Sequence, residues 1–526
     1  MQTSELIAPE RYNITEEVVR FGHEERTAVK WLDQHGTERN ISYKELVEKV
    51  NQYAQALRNQ GIEKGDRVLV LLPRIPEAYF TYLGCLRAGI VAIPCSEMLR
   101  KKDLLYRIEH SDAKGVIAFH KTTSEVNAIG ESHPALGNKF IIGGEETDWA
   151  PLEELAAKEK KEYKGESTSR NDMAFLSYTS GTTGNPKGVV HTHGWGYAHV
   201  RTAARKWLGV EEGDVVWATA APGWQKWIWS PFLSTVTLGA TAFVYHGPFD
   251  ADKYLQLLED EKISVLCCTP TEYRIMSKLD NLASYDLSAL KSAVSAGEPL
   301  NKPVIEAFKK AFNIEVRDGY GQTENTLLVC NIQGMEVKPG SMGKPTPGNP
   351  VDIIDEAGQP APAGEVGDIA VHKECAALFR EYYRDPERTQ AAFRGDWYVT
   401  GDQAVKDEDG YFWFKGRSDD IIISSGYTIG PFEVEDALIK HPSVRECAVV
   451  ASPDETRGSI VKAFIVLKEQ PAGTEEELIK ELQDHTKQIT APYKYPRQIE
   501  FMDELPKTTS GKIRRIELRV QEQGKA

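Results

Sequence analysis

Residues 68–94, VLVLLPRIPEAYFTYLGCLRAGIVAIP, place an apolar run, a helical stretch and a second apolar run in direct succession. Strands buried on both faces are near-continuous runs of Val, Ile and Leu, and a helix between two such runs is typical of a βαβ unit. Similar runs follow at 115–119, 214–222, 240–247 and 263–270. This alternation predicts an α/β fold with largely parallel sheets covered by helices.

The character of the sequence changes twice after this region. Pro- and Gly-rich turns at 338–350 separate short strand-like runs and predict a smaller β-rich subdomain. At 414–426, FKGRSDDIIISSG, a charged stretch separates two strand-like runs, and we expect a hinge there. We therefore predict a large N-terminal domain over 1–418 and a small, mobile α+β C-terminal domain over 419–526.

The composition argues against several classes of protein. The chain of 526 residues has 63 Lys and Arg against 78 Asp and Glu, and its formal charge of −15 opposes binding to nucleic acid and acidic membranes. The N-terminal stretch MQTSELIAPERYN resembles no signal or transit peptide, and no uncharged apolar run approaches the roughly 18 residues of a membrane span. The seven cysteines form no CxxC pair and are expected to be reduced. These features predict a cytoplasmic protein with no membrane span and no nucleic-acid partner.

A stretch rich in Gly, Ser and Thr, YTSGTTGNPKG at 178–188, carries the strongest chemical signal. Its glycines permit tight turns whose N–H groups can point at phosphate oxygens, and Lys187 adds a cation. The stretch favours a polyphosphate cradle, although its composition alone also fits an ordinary polar loop. The Walker A motif is excluded, because Lys187 follows Pro186 and precedes Gly188. The candidate phosphate-binding residues are Thr179, Ser180, Gly181, Thr182, Thr183, Gly184, Asn185, Pro186 and Lys187.

A second polar cluster, DGYGQTE at 318–324, follows a short strand-like run. Glycines on either side of Tyr320 permit close approach to a flat base, Thr323 can hydrogen-bond an anion, and Glu324 is a hard oxygen ligand suited to Mg²⁺. Taken alone, the cluster fits a turn with a surface acid equally well. Residues 295–299, SAGEP, repeat the pattern of a strand followed by glycine and are expected to form another wall of the site. The nucleotide-binding candidates here are Gly297, Glu298, Pro299, Asp318, Gly319, Tyr320, Gly321 and Gln322.

These segments, in this order, resemble the adenylate-forming superfamily of acyl-CoA synthetases, peptide-synthetase adenylation domains and luciferases. The resemblance covers the whole chain, because YVTGD at 398–402, KGRSDD at 415–420 and LPKTTSGK at 505–512 follow the two earlier motifs. It implies an AMP-forming acid:CoA ligase with ATP, Mg²⁺ and CoA as cofactors and cosubstrates. It also implies that Asp402 binds the ATP ribose and that Arg417 contacts ribose and phosphate.

The resemblance assigns the catalytic roles as well. Lys512 resembles the mobile catalytic lysine of the family, a cation that stabilises the charge developing between the carboxylate and the α-phosphate. Thr323 and Glu324 complete the implied catalytic set, with Glu324 as the Mg²⁺ ligand. Asp419 matches the hinge position, about which the small domain rotates between the two half-reactions.

Within the superfamily, the chain most resembles the medium-chain acyl-CoA synthetases, through PGWQKW at 222–227, SSGYTIGP at 424–431 and TAPYKYPRQIEF at 490–501. By that resemblance, a set of residues is implied to bind CoA, with basic members suited to its phosphates. The set is Ser425, Gly426, Tyr427, Arg457, Lys487, Tyr495, Pro496 and Arg497. Thr428 stands where the family commonly has an arginine, so one phosphate contact is missing or supplied elsewhere.

The acyl pocket is implied by the same resemblance. Trp224 and Trp227 lie in the segment that lines this pocket in relatives, with His191 and His193 as further wall or lid candidates. The predicted substrate is a short- or medium-chain fatty acid, straight or branched, in preference to acetate or aryl acids. Two alternatives stay open: an enzyme that delivers the same adenylate to a carrier protein, and a non-catalytic protein that binds acyl-AMP or ATP.

Overall fold

The computed structural model describes residues 1–130, 136–179, 186–297, 300, 302–418, 420–424, 427–454, 458–469, 473–490, 492–507 and 512–524. The chain divides into two compact units. The first comprises Met1–Val351 and Val371–Tyr398, and the second comprises Asp352–Ala370 and Val399–Ala526. The boundary expected between residues 418 and 419 concerns domain motion and stays a prediction.

Two sheets form the first unit. The strands are β1 (Thr27–Asp33), β2 (Glu38–Ser42), β3 (Arg67–Leu71), β4 (Val91–Pro94), β5 (Gly115–Phe119), β6 (Asn138–Ile142), β7 (Ala150–Pro151), β8 (Met173–Thr179), β9 (Lys187–Thr192), β10 (Val215–Ala218), β11 (Thr241–His246), β12 (Val265–Cys268), β13 (Ser292–Ala296), β14 (Val316–Gly321), β15 (Leu327–Cys330) and β16 (Lys344–Pro345). The seven-stranded sheet has the order β7-β6-β5-β3-β4-β8-β9, and the nine-stranded sheet has the order β16-β15-β14-β13-β12-β10-β11-β1-β2. Strand pairs inside both sheets are parallel, and antiparallel pairs such as β8–β9 and β1–β2 lie toward their edges.

Helices cover these sheets. They are α1 (Glu16–Val19), α2 (Tyr43–Asn59), α3 (Pro76–Arg87), α4 (Lys101–Ser111), α5 (Thr123–Asn127), α6 (Leu152–Ala157), α7 (His193–His199), α8 (Gln225–Trp227), α9 (Ser234–Val236), α10 (Ala251–Asp260), α11 (Pro270–Met276), α12 (Lys302–Phe312) and α13 (Pro386–Ala391). Two π-helical segments, Val200–Leu208 and Ile228–Leu233, continue α7 and α8. Short 3₁₀ turns lie at Thr3–Leu6 and Leu282–Ser284. No helix in the described ranges is both long enough and apolar enough to cross a membrane.

The βαβ unit predicted at 68–94 is formed by β3, α3 and β4. α3 begins with Pro76 at its first position, where the missing N–H of proline costs no hydrogen bond. Every residue of α3 is buried, and β3 pairs with β4 in parallel. The prediction of an α/β fold with helix-covered parallel sheets is therefore confirmed.

Each large sheet has its own apolar core. All seven cysteines of the chain are buried, and none of them forms a disulfide. Their reduced state stays a prediction. Burial raises the pKa of the Cys85, Cys95, Cys330 and Cys375 thiols to about 12, since a thiolate is poorly solvated in an apolar interior.

A third sheet follows in the chain. Its strands are β17 (Val351–Ile354), β18 (Val366–His372), β19 (Phe393–Arg394), β20 (Trp397–Lys406) and β21 (Phe412–Arg417). The order is β17-β18-β20-β19, with β21 paired to β20. The β-rich part predicted after residue 338 is confirmed by these strands.

The C-terminal part of the second unit is α+β, as predicted. Its elements are β22 (Ile422–Ser424), β23 (Tyr427–Ile429), α14 (Pro431–Ile439), β24 (Val444–Asp454), β25 (Gly458–Leu467), α15 (Glu475–Ile489), β26 (Gln498–Phe501) and α16 (Arg515–Gln523). The strands form a β22–β23 hairpin and a β24-β25-β26 sheet. α15 starts with a capping box between Thr474 and Glu477. Leu478 and Leu482 of α15 pack into the core of this part.

Candidate functional site

The predicted cradle lies between β8 and β9. These strands pair in antiparallel register, with Thr179 opposite Lys187, so the chain turns back on itself where the motif begins and ends. Residues 180–185, which carry six of the predicted phosphate-binding residues, lie outside the described residues, as do Glu298 and Pro299. Lys187 is half-buried at the start of β9.

A cation, a phenol and a carboxylate meet at the end of the cradle. The Lys187 Nζ atom lies 3.3 Å from the Tyr382 hydroxyl oxygen and 3.8 Å from Oε1 of Glu324. The Tyr382 hydroxyl donates to the same Oε1 over 2.8 Å. The ammonium also lies 4.8 Å from the centre of the Tyr382 ring, within cation–π range. The structure therefore brings two predicted site residues together, and Tyr382 holds the carboxylate in place.

The backbone before Glu324 is held in place by His191. The Nε2 atom of His191 lies 2.6 Å from the Thr323 carbonyl oxygen, and the buried imidazole ring packs on Trp195. Burial lowers the pKa of His191 to about 3, since the charged ring would lose its hydration. A neutral ring that donates from Nε2 thus supports the Thr323 and Glu324 backbone.

Glycines in DGYGQTE are required by close packing. A Cβ atom at Gly321 would lie 2.0 Å from the Thr326 carbonyl oxygen, inside the tight β14–β15 connection. A Cβ atom at Gly319 would lie 2.7 Å from the indole of Trp207. Gly297 adopts φ +112°, which L-residues rarely adopt, and nothing in the described chain lies near its Cβ position. This part of the site has open space at Gly297 and contact with Trp207 at Gly319.

Asp318 is the half-buried acid of the motif. Its oxygens accept from the Gly319 and Leu300 backbone N–H groups, at 2.9 Å and 3.4 Å. Burial raises the pKa of Asp318 to about 7, although these hydrogen bonds and the nearby Lys226 act in the opposite direction. Lys226 donates to the Ala296 carbonyl oxygen over 2.7 Å, at the end of β13. The Asp318 carboxyl and the Lys226 ammonium therefore lie near each other, beside the nucleotide candidates.

Two other members of the motif have distinct settings. Tyr320 lies half-buried in β14. The backbone N–H of Gln322 donates to Asn325 over 2.8 Å, and its side-chain oxygen accepts from the Tyr398 hydroxyl over 3.2 Å. These contacts keep the turn before Glu324 compact.

The acyl-pocket candidates lie in different environments. Trp224 is half-buried and precedes α8, whereas Trp227 is fully buried and stacks on Phe232 with ring centres 4.7 Å apart. His193 is buried, and its Nδ1 atom accepts from the Ile14 N–H over 3.2 Å. Burial lowers the pKa of His193 to about 4. Their contact with an acyl chain stays a prediction.

Several buried polar atoms near β14 and α8 have no hydrogen-bond partner within the ranges that the structure describes. Such atoms are uncommon in folded proteins and often mark places where water or a ligand binds. They are Nδ1 of His191, Nε1 of Trp207, Nε2 of Gln225, Nε1 of Trp229 and Nδ2 of Asn325. Trp207 and Trp229 lie in the two π-helical segments, and Nε2 of His199, the last residue of α7, lies 2.9 Å from the Trp229 carbonyl oxygen. Such segments are frequent at functional sites.

In the second unit, the two predicted ribose contacts are neighbours. Asp402 on β20 lies opposite Arg417 on β21 in the antiparallel register. Asp402 is buried, and its backbone N–H donates to the Thr400 hydroxyl over 3.2 Å. The Thr400 hydroxyl in turn donates to the Ile369 carbonyl oxygen over 2.8 Å. A carboxylate and a guanidinium on adjacent strands suit a ribose with a neighbouring phosphate.

Three of the predicted CoA residues form one cluster. The Tyr495 ring has the Lys487 ammonium 4.4 Å and the Arg497 guanidinium carbon 4.8 Å from its centre. Arg497 also donates to the Tyr495 hydroxyl over 2.7 Å, and the carbonyl oxygen of Pro496 accepts from Gln483 over 3.0 Å. The cluster presents two cations around an aromatic ring, which suits a phosphorylated nucleotide.

Other candidates in this unit are less fully described. Asp419, Ser425, Gly426 and Arg457 lie outside the described residues, and the backbone of Tyr427 lies in β23. Lys512 is exposed and sits just before α16. The base of its loop is closed, because Lys507 pairs with Ile513 and the Arg514 N–H donates to the Pro506 carbonyl oxygen over 2.8 Å. Lys512 therefore projects from a loop with a fixed base.

The residues around Glu324 bear on whether the site can hold a metal ion. In the described part of the chain, no group of three or more His, Cys, Asp or Glu residues is placed to hold an ion. The carboxylate of Glu324 is almost buried, and its Oε2 atom accepts no hydrogen bond from a described residue. Mg²⁺ is commonly held by one or two carboxylates, with substrate phosphates and water supplying its other ligands. The site therefore fits Mg²⁺ that arrives with a nucleotide and does not resemble an all-protein metal cage.

Comparison with known proteins establishes the class. The AMP-binding enzyme family model matches residues 16–383, and the model of the AMP-binding enzyme C-terminal domain matches residues 433–512. The chain therefore belongs to the AMP-binding enzyme family.

Curated relatives and solved structures narrow the branch. The chain is 57% identical over 524 residues to the acyl-CoA ligase YtcI of Bacillus subtilis, covering 99% of this chain and 98% of that protein. It is 43% identical over 529 residues to the mitochondrial acyl-coenzyme A synthetase ACSM3 of Rattus norvegicus, covering 98% and 91%. The anthranilate CoA ligase AuaEII, solved with anthranoyl-AMP, superposes with a TM-score of 0.90 at 30% identity, covering 99% of both chains. The predicted membership of the acyl-CoA synthetase branch is confirmed.

Sequence reasoning missed two contributors to the site. Tyr382 lies in REYYRD at 380–385, where only a pair of aromatics among charges marked it, and its partner Glu324 is far away in the chain. Trp207 lies near the end of the π-helical segment after α7. Its sequence context does not distinguish it from a core tryptophan, and only its position beside Gly319 marks it as part of the site.

Proposed function

We propose that the protein converts a short- or medium-chain fatty acid, straight or branched, to its CoA thioester through an acyl-AMP intermediate. In the first step, a carboxylate oxygen of the acid attacks the α-phosphorus of ATP, and pyrophosphate leaves. In the second step, the CoA thiol loses its proton and attacks the acyl carbon, and AMP leaves. The observation that carries this proposal is the contact of Lys187, Tyr382 and Glu324 at the end of the phosphate cradle.

This cluster supplies what the first step needs at the phosphates. Lys187 is a cation at the first position after the cradle turn, and it can bind phosphate oxygens. Glu324 would hold Mg²⁺, which supplies charge neutralisation for the departing pyrophosphate when it is bound. Tyr382 orients the Glu324 carboxylate by donating to Oε1, which leaves Oε2 for the ion.

Residues of the second unit supply the remaining roles in this proposal. Asp402 and Arg417 bind the ribose and its phosphate from adjacent strands. Lys512 acts in the first step alone, as a cation between the acid and the α-phosphate. The cluster of Lys487, Tyr495 and Arg497 binds CoA in the second step, after rotation about Asp419.

The acyl group in this proposal lies near α8 and Gly319. Trp224 provides an aromatic wall, and Trp207 occupies the space on one side of Gly319 and limits the depth of the pocket. Apolar walls rank acids by about 1–3 kcal/mol for each methylene, so we expect a broad optimum of chain length. The seven cysteines are buried and form no disulfide, which supports a reducing compartment, and we propose the cytoplasm as the location.

The proposal is tested by AMP release from the purified protein with ATP, Mg²⁺ and CoA, across straight, branched and aromatic acids of graded length. We expect release that depends on CoA and has its maximum among acids of about four to ten carbons. A maximum with benzoate or anthranilate would overturn the substrate class but keep the reaction. Pyrophosphate release without thioester would favour a carrier protein as acceptor, and no release with any acid would favour a non-catalytic binding protein.

A further inference from the structure

One face of α16 carries a stripe of buried charges. Arg515, Arg519 and Glu522 are spaced four and three residues apart, which places them on the same side of the helix. Leu518 lies between them and is buried in a small apolar core. A helix that merely covers a core needs apolar residues at such positions, so the charges require a separate explanation.

Each charge of the stripe is paired with a different element. Arg515 makes a forked contact with both carboxylate oxygens of Glu435 on α14, at 2.9 Å and 2.7 Å. Glu522 accepts from Lys462 on β25 over 2.8 Å, and only 2% of its side chain is exposed. Its other oxygen accepts from the Ser452 hydroxyl on β24 over 2.8 Å. The helix is therefore fixed at both ends by ionic contacts.

The middle pair reaches the segment that follows the hinge. Arg519 forms an ion pair with Asp420, and the two side chains are 13% and 5% exposed. Asp420 is held in a tight turn, because its backbone N–H and that of Ile421 both donate to the Arg417 carbonyl oxygen. The pair thus ties α16 to the residue directly after Asp419.

Buried ion pairs add little to the stability of a fold, but they determine how the paired elements are oriented. Their desolvation offsets most of the attraction, and well-packed apolar residues often stabilise a fold as much or more. A directional pair does fix the rotation and register of a helix, which an apolar contact fixes less tightly. Lys512 precedes α16 by three residues, so the register of α16 sets where its loop ends.

We infer that Arg519 is a positioning residue, which through Asp420 fixes the lysine-bearing loop relative to the hinge, so that rotation at the hinge delivers Lys512 to the reacting phosphate. This inference rests on the proposed function, in particular on the role of Lys512 in the first half-reaction. Since Lys512 is withdrawn in the second half-reaction, the pair matters for adenylate formation and not for thioester formation. A purely structural pair would affect both.

The test measures the two half-reactions separately in Arg519→Met. Adenylate formation is followed by exchange of pyrophosphate into ATP, and thioester formation is followed from supplied acyl-AMP and CoA. Because a displacement of about 1 Å can cost ~10²-fold, we expect adenylate formation to fall by roughly 10- to 100-fold. Thioester formation should be unchanged, and Arg519→Lys should recover part of the lost rate.

Two further variants keep the outcome interpretable. Asp420→Asn combined with Arg519→Met removes both charges of the pair, so no unpaired buried charge is left to destabilise the protein. This double variant should also lose adenylate formation and keep thioester formation. Glu517→Gln is the matched control, because Glu517 pairs with Arg514 on the exposed face of the same helix. It should behave as the unmodified protein in both half-reactions.

The remaining outcomes are distinct. Parallel loss of both half-reactions, or no loss in Arg519→Met and the double variant, overturns the positioning role while the unmodified protein still makes acyl-CoA. Failure of the unmodified protein and of Glu517→Gln in both half-reactions overturns the proposed function itself.

Discussion

The Tyr382 hydroxyl donates to Oε1 of Glu324 across 2.8 Å, and these two residues are 58 positions apart in the chain. This bond joins the segment that follows β18 to the last residue of DGYGQTE. The bond orients a carboxylate that is almost buried. We therefore expect its loss to weaken the binding of the ligand that Glu324 is proposed to hold.

Replacing Tyr382 by Phe removes that donor and keeps the ring. A hydrogen bond to a charged group contributes about 1.5–3 kcal/mol, so we expect adenylate formation to fall by roughly tenfold or more and the Mg²⁺ requirement to rise. Initial rates over a Mg²⁺ titration measure both. Tyr383→Phe removes a hydroxyl one residue away and is the control; equal Mg²⁺ curves for the two variants would argue against the role of Tyr382.

Lys512→Ala separates the half-reactions. Losing a cation that stabilises only the first transition state should lower adenylate formation by at least about 10²-fold, while supplied acyl-AMP is still converted to thioester. The control is Lys507→Ala, which should keep both activities. Lys507 lies at the other side of the loop base, where its side chain pairs with Glu446 over 2.8 Å. Equal losses in both half-reactions of Lys512→Ala would contradict the assignment.

Arg497→Met tests the CoA cluster. The change removes one of the two cations on the Tyr495 ring, so we expect the KM for CoA to rise by about tenfold with adenylate formation unaffected. Steady-state kinetics at varied CoA give the answer. Arg445→Met is the control, because Arg445 is exposed and donates to the Asp503 carbonyl oxygen, away from the Tyr495 ring. An unchanged KM for CoA in Arg497→Met would place the CoA site elsewhere.

Gly321→Ala tests the packing of the β14–β15 connection. The added methyl would lie 2.0 Å from a backbone oxygen, which cannot move without shifting the strand, so we expect a loss of stability of about 1–3 kcal/mol. Gly137→Ala is the control, because no described atom lies within 4 Å of its Cβ position and its φ is not positive. Thermal melts compare the two, and similar melting temperatures would show that the connection tolerates a side chain.

His193→Asn tests a pH dependence. The pKa of His193 is about 4 in the folded protein, below its unfolded value of about 6.5, because of burial. As pH falls below 6.5 the unfolded chain gains a proton that the folded chain refuses, so stability is full above that pH and declines toward pH 4. At pH 5 the cost is about 2 kcal/mol.

Asn can accept from the Ile14 N–H in place of Nδ1 but does not titrate. We therefore expect the melting temperature of His193→Asn to fall less than that of the unmodified protein between pH 7.5 and pH 5. Identical pH dependence in both proteins would mean that His193 does not contribute to acid destabilisation.

Local patterns predicted the elements well. The run at 68–94 had to become strand, helix and strand, because apolar periodicity and Pro76 are both local signals. The glycines at 319 and 321 were also predicted from a local pattern. The sequence could not show that a side chain at these positions would clash with Trp207 and Thr326.

Long-range pairings could not be predicted. Tyr382 and Glu324 meet only through tertiary packing, and so do Arg519 and Asp420. A charge has no sequence signature that tells burial from exposure, since its partner can lie anywhere in the chain. Residue types therefore predicted the chemistry of the site, and packing decided which side chains hold it in place.

The burial of every native thiol has a practical consequence. Maleimide reagents attack thiolates, and burial shields these sulfur atoms. Burial also raises the pKa of the Cys85 and Cys95 thiols to about 12, which keeps these two protonated at neutral pH. A cysteine introduced on the exposed face of α16, at Val520, would be the preferred attachment point for a fluorophore. A second introduced cysteine in the first unit would give a dye pair whose energy transfer tests the proposed rotation about residue 419 during turnover, without removing any native cysteine.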